Sequence, residues 1–271
     1  TYVHIVGNGT SNTARSNALT LTWGGDLWHS GRLSHGNSVS VTGLGAYSGG
    51  SETSALGDYS HAEGISTTAQ GEASHAEGSG TTASAINSHA EGNKTIASGN
   101  DTHAEGEYTT ASGNNSHAEG DNTTASGESS HAEGDSTTAS GYFSHAEGSE
   151  ATASGNSSHA EGEMTTASGG ISHAEGSNTI ANCECQHVQG KYNMADETSA
   201  FIIGNGSSDN ARSNAMKVDW DGNLEVAGDL KDGSGNTLKN MMSKTNPTGT
   251  GSFSLNRKAS TTIGTNSTAE G

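Results

Sequence analysis

From His61 to His187 a histidine returns every fourteen residues, ten times without a slip. At the first nine positions it sits in Ser/Thr-His-Ala-Glu-Gly, as in Ser60-His61-Ala62-Glu63-Gly64, and at the tenth in Gln186-His187-Val188-Gln189-Gly190. A plainer phrase alternates with it, as in Thr67-Thr68-Ala69-Gln70-Gly71 or Thr123-Thr124-Ala125-Ser126-Gly127. Both phrases fit one seven-residue frame: a small or hydroxyl residue, a variable one, Ala, a variable one, Gly and two turn residues. A period this strict has one economical physical reading. Each unit is too small to bury a core alone, so it stacks on its neighbours in a solenoid.

Side chains alternate faces along a strand, so positions one, three and five of the frame share a side. That puts Ser60, Ala62 and Gly64 together in one half-coil, and Thr67, Ala69 and Gly71 in the other. A face that is small in both halves predicts two sheets packed closely over a thin Ser/Thr–Ala–Gly seam. Each half-coil is expected to have five residues of strand and two of turn, with glycine at position five serving the corner. The outer faces then differ: His and Glu on one, Thr and Ser with occasional Ile96 or Ile180 on the other. Such a seam needs little apolar bulk. This explains how a chain with 28% hydrophobic and 4% aromatic residues, forty glycines and one proline escapes the disorder its composition suggests.

The flanks have a period of their own. Residues 2 to 33 return at a shift of 197: Gly7-Asn8-Gly9, Ala14-Arg15-Ser16-Asn17-Ala18, Trp23, Gly25, Leu27 and Gly31 correspond to Gly204-Asn205-Gly206, Ala211-Arg212-Ser213-Asn214-Ala215, Trp220, Gly222, Leu224 and Gly228. In the second copy Met216, Val218 and Trp220 alternate with polar residues, Asp221-Gly222-Asn223 turns, and Leu224 and Val226 alternate again. This is a β-hairpin pattern. The organisation expected is a hairpin capping module over 1–33, a repeat shaft over 34–204 (most regular over 60–190), a second hairpin module over 205–230, a linker over 231–250, and the start of a further repeat block over 251–271. Trp23, Leu27, Trp220 and Leu224 are the expected hairpin anchors. The chain reads as a piece of a longer protein.

The fourteen-residue, two-strand frame resembles the left-handed parallel β-roll heads of trimeric autotransporter adhesins. Ala200-Phe201-Ile202-Ile203-Gly204 is similar to that family's phrase Ser-Val-Ala-Ile-Gly, whose apolar pair meets around a threefold axis. The central block departs from it, with His and Glu in place of Val and Ile. The paired flanking modules resemble segments of tail fibres and tail spikes of phages infecting Gram-positive bacteria. The resemblance implies an all-β fold: a left-handed parallel β-roll, intertwined as a homotrimer, with flanking hairpins. It also implies a trimer-interface ladder of His61, Glu63, His75, Glu77, His89, Glu91, His103, Glu105, His117, Glu119, His131, Glu133, His145, Glu147, His159, Glu161, His173, Glu175, Phe201 and Ile203. In that ladder the glutamates are expected to favour protonated histidine, so that stability is greatest at mildly acidic pH.

The functional expectation is a structural and host-recognition segment of a trimeric fibre, foremost a phage tail fibre, located in a virion. The first alternative is a bacterial surface adhesin head, extracellular or on the cell surface; the second is a fibre carrying an enzyme or self-cleaving chaperone beyond residue 271. The partners expected are the chain itself and a host receptor or glycan. No active site is expected in the repeats, because catalysis needs one preorganised constellation and not nine copies of a pair. No cofactor is expected either. Cys183, Cys185 and His187 have the atoms for a soft metal but fill only half a site. Histidines of three chains could hold an ion on an axis, though the glutamate two residues on is an equally good partner. The formal charge of −19 argues against nucleic acid, and no apolar run is long enough to insert in a membrane.

Overall fold

The computed structural model describes residues 33–231 as a continuous chain, with side chains from residue 36. It also gives the strands Tyr2–Gly7, Asn17–Thr22, Leu27–His29, Phe253–Leu255 and Thr268–Glu270. The fold of the described residues is all-β, a parallel solenoid of about twelve fourteen-residue turns. Two sheets run its length. The long strands, such as His61–Ile65 and His117–Asp121, belong to a 15-stranded sheet, and the short ones, such as Thr68–Ala69 and Thr124–Ala125, to an 11-stranded sheet. Pairing between coils is parallel and in register, so like stacks on like: His117 on His131, Ala118 on Ala132, Glu119 on Glu133.

The seam is built as the alternation requires. Ala62, Ala69, Ala118 and Ala125 are fully buried, and Ser60, Thr67, Ser116 and Thr123 close the same space from position one. Ser60, Ser74, Ser88, Ser130, Ser144 and Ser172 donate back to a turn carbonyl, Ser74 Oγ to Gly71 at 2.7 Å, whereas the Thr67, Thr81, Thr109 and Thr123 hydroxyls are buried with no hydrogen bond. Threonine therefore contributes through its methyl group. Towards the C-terminal end the alanine column widens to Val188 and then Ile202, both fully buried.

The halves of a coil are unequal, contrary to the symmetrical expectation. One half is a five-residue strand; in the other only two residues are strand. The chain after Thr68–Ala69 is diverted into a tight turn, where Ser74 donates both its N–H (3.3 Å) and its hydroxyl to Gly71. The two glycine columns differ as well. Gly120 has φ +110 and a Cβ there would lie 2.1 Å from the Gly134 oxygen, whereas Gly113 needs no positive φ and only the close approach, 2.0 Å to Gly127 oxygen, excludes a side chain. The recurrent left-handed residue at the corner is the last of the frame, and it is seldom glycine: Tyr59, Ala73, Asn87, Phe143 and Ile171 have φ between 54° and 59°. Their N–H groups donate to the previous coil, Tyr59 to Leu44 (2.8 Å) and Phe143 to Glu128 (2.9 Å). A bond to the neighbouring coil thus offsets the strain at each corner.

At the C-terminal end Ser199–Asn205 completes the parallel stack on His187–Lys191 and then pairs antiparallel with Asn214–Asp219, which pairs with Leu224–Val226. The first copy of the flanking module has the same three-stranded order, Tyr2–Gly7, Asn17–Thr22, Leu27–His29, in a sheet of its own. The module is therefore a three-stranded meander, and in the second copy its first strand is the roll's last. Arg212 covers the end of the short-strand sheet by donating to the Asn178 (2.8 Å) and Asn193 (3.1 Å) carbonyls while paired with Asp209. Sheet-end carbonyls that would otherwise lack partners are thereby satisfied. Trp23 and the linker beyond residue 231 lie outside the described residues, as does the Leu27 side chain. Trp220 and Leu224 are exposed, at 50% and 55%. Phe253–Leu255 and Thr268–Glu270 pair in parallel.

Candidate functional site

The His/Glu stripe follows from the register of the long strands. With His at position two of every coil, successive imidazoles must lie one strand apart, and their ring centroids are 4.6–4.9 Å apart from His61 to His187. From His75 to His159 the rings are nearly parallel, within 2–7°. An aromatic ring closes each end edge-on: Tyr47 against His61 at 4.8 Å and Phe201 against His187 at 5.3 Å. Phe201 was legible from its frame position. Tyr47 was hidden in the ragged coils, although it too occupies position two.

Glu63 lies 3.3 Å from His61, and in the coils from His75 to His159 the same carboxylate–imidazole separation is 3.6–3.8 Å. Both side chains of a pair remain about one-third exposed. The Nε2 atoms of His75 through His187 are nevertheless shut off from solvent by the stack and make no hydrogen bond. Beside them the glutamates and the Gly64–Gly120 column form a groove of about 660 Å³.

The electrostatic sense differs from the sequence expectation. Burial, and after it the charge of adjacent imidazoles, holds His75, His89, His103, His117, His131 and His159 below the ordinary histidine value. The nearest carboxylate pulls the other way and loses, because burial within the stack outweighs it. Among the glutamates, Glu91 and Glu119 are pushed up to about 7, chiefly by hydrogen bonding with Glu105, whose own carboxyl is held low by Glu91 and Glu119. Along the stack the directions alternate: Glu91, Glu119 and Glu147 are raised while Glu77, Glu105 and Glu133 are lowered.

Phe201 and Ile203 share the stripe's face, in register with His187 and Gln189. Their cross-strand partners Val218 and Met216, and beyond these Leu224 and Val226, must project to the same side. The stripe thus ends in an apolar patch. On the opposite side of that meander Lys217 bridges Asp196 (2.9 Å) and Glu225 (3.1 Å), and hydrogen bonds from Thr198 and Lys217 keep Asp196 well below the usual carboxylate range. The cysteines are elsewhere. Cys183 Sγ donates to the Glu197 carbonyl, Cys185 is exposed at a corner, and the candidate metal-ligand groups among the described residues contain neither. Among the described residues no helix is long and apolar enough to cross a membrane.

No curated protein matches the chain. The family model of the YadA head domain repeat matches residues 62–84, 90–116, 118–144, 132–158, 146–163 and 160–182. This favours the adhesin-head alternative over the phage-fibre reading. Repeats of this kind point to an adhesin-like fibre segment in a structural role. With the in-register stack, the alanine seam and the match together, the block from 62 to 182 carries YadA head domain repeats, the β-roll motif of trimeric autotransporter adhesins.

Proposed function

We propose that this chain is a segment of a homotrimeric, surface-displayed adhesive fibre, in which the roll forms a rigid shaft and head and the His/Glu stripe faces the other two chains. The observation that carries the reading is the patch of Phe201, Ile203, Met216 and Val218, half-buried in one chain and continuous with the stripe. Three parallel copies closing this face would cover the patch and align equivalent coils, as cyclic symmetry requires. The stripe polarity departs from the apolar axis implied by the adhesin resemblance, and the raised Glu91, Glu119 and Glu147 beside histidines held below their ordinary value lessen the charge such a face buries. The outward Thr/Ser face and the corner residues remain for contact with a host surface component.

Sedimentation equilibrium of the full chain should give about three chains per particle. Replacing Phe201 and Ile203 by Asp should shift it towards monomer while leaving the β spectrum intact. A wild-type monomer at micromolar concentration would refute the arrangement.

A further inference from the structure

We infer that the stripe binds divalent first-row transition-metal ions, each held by two histidines of adjacent coils and the glutamate between them. Five groups have one ligand atom from each residue within 4.8 Å of one another: His89-Glu91-His103, His117-Glu119-His131, and the overlapping groups that continue through Glu133, Glu147 and Glu161 to His173. A tetrahedral ion with metal–nitrogen bonds of about 2.0–2.1 Å needs its ligand nitrogens roughly 3.3 Å apart, so side-chain rotation alone closes the gap and the backbone register is untouched. Two imidazoles and one carboxylate form an open three-ligand set, with the fourth position left to water. Such nitrogen-rich sites favour zinc, copper or nickel over magnesium or calcium.

Two independent observations point the same way. The Nε2 atoms along the stack are excluded from solvent yet have no hydrogen-bond partner, which is costly for a polar atom and is relieved when the lone pair meets a cation. The carboxylates repeat at the strand spacing on a chain of formal charge −19, so a dication between coils removes repulsion that protons otherwise have to remove. Each ion would tie two coils together. The ligands of each group come from a single chain, so the inference does not rest on the trimer.

The test is a zinc titration of the full chain, stripped with chelator, followed by calorimetry and elemental analysis. Of the five groups at most three share no histidine, so uptake should saturate near three ions per chain and raise the melting temperature, with magnesium doing neither. The H103Q/H131Q/H159Q variant interrupts all five groups and should lose the zinc uptake. D121N/D135N/E163Q, which removes three carboxylates outside the groups, should keep it. Zinc uptake no greater than magnesium uptake would overturn the inference, as would retention by the histidine variant or equal loss in the acidic control. If the histidine variant fails to fold, cobalt(II) added to the unaltered protein decides. Intense visible bands of a low-coordinate nitrogen site support the inference, and the weak spectrum of the hydrated ion overturns it.

Discussion

Three glycine-to-alanine substitutions separate backbone strain from close packing. Gly222 has φ +85 and nothing within 4 Å of a built Cβ, so Gly222→Ala tests strain alone and should cost about 1–3 kcal/mol. Gly113 has the opposite character, a Cβ 2.0 Å from the Gly127 oxygen without a positive φ. The chain itself shows what relieves that clash, since Ala85 and Cys183 occupy the same column. At Ala85 the N–H turns to Ser88 Oγ (3.2 Å), whereas Gly113 N–H reaches the Ala125 carbonyl of the next coil at 3.3 Å. Gly113→Ala therefore exchanges one long bond for a local one and should cost about 0.5–1.5 kcal/mol. Gly120→Ala combines φ +110 with a carbonyl 2.1 Å away. The neighbouring strand must retreat by roughly 1 Å, and losing two ladder bonds of about 0.5–1.5 kcal/mol each on top of the strain gives about 2–6 kcal/mol. Urea unfolding followed by far-ultraviolet circular dichroism would rank them Gly120 well above Gly113. Equal midpoints for these two variants would refute the distinction between the columns.

The remaining predictions use the same frame. Deleting one coil, residues 117–130, should leave a folded shaft shorter by about 4.8 Å, while deleting seven residues opposes five-residue strands to two-residue ones and should abolish cooperative unfolding. Differential scanning calorimetry distinguishes the two outcomes. Thr109→Val with Thr123→Val removes buried hydroxyls that have no partner and should raise stability by about 1 kcal/mol per site, read as a higher melting temperature. In chelator-treated protein, stability should peak near neutrality. The depressed histidines contribute fully above their unfolded value of about 6.5, and that contribution is lost as pH falls through their lower folded values. Glu91 and Glu119, raised to about 7, contribute below their unfolded value, and this is lost as pH climbs through 7. With Glu91 and Glu119 replaced by Gln, a melting temperature still rising from pH 6 to pH 5 would contradict the histidine assignment.

The period alone made the coil legible, and alternation within the frame made the seam legible: Ala62, Ala69 and their equivalents are buried because positions one and three cannot face elsewhere. The unequal halves were not legible, since Ser-His-Ala-Glu-Gly and Thr-Thr-Ala-Gln-Gly have the same alternation. Only the turn that Ser74 closes on Gly71 sets them apart. The corner conformation was missed because position seven carries Tyr59, Phe143 or Ile171, residues that local propensity would never place at positive φ. A bond from the neighbouring coil overrides that propensity. Arg212 stood out in the sequence only as part of a repeated phrase. Its purpose needs the Asn178 and Asn193 carbonyls, 34 and 19 residues away. For the stripe, position was read from the frame but charge was not. A one-dimensional sequence shows each His its own Glu, whereas the stack gives it two other histidines.

In-register stacking makes every coil an acceptable neighbour for every other, since each presents the same edge above and below. Within the regular block, gaining or losing fourteen codons therefore keeps like stacked on like. The ends have fixed addresses: Tyr47 at one, and Val188, Phe201, Ile202 and the meander with Arg212 at the other. Reach is then a heritable variable decoupled from fold. A lineage carrying this gene can set how far the molecule extends by copying or dropping whole coils, without redesigning either end.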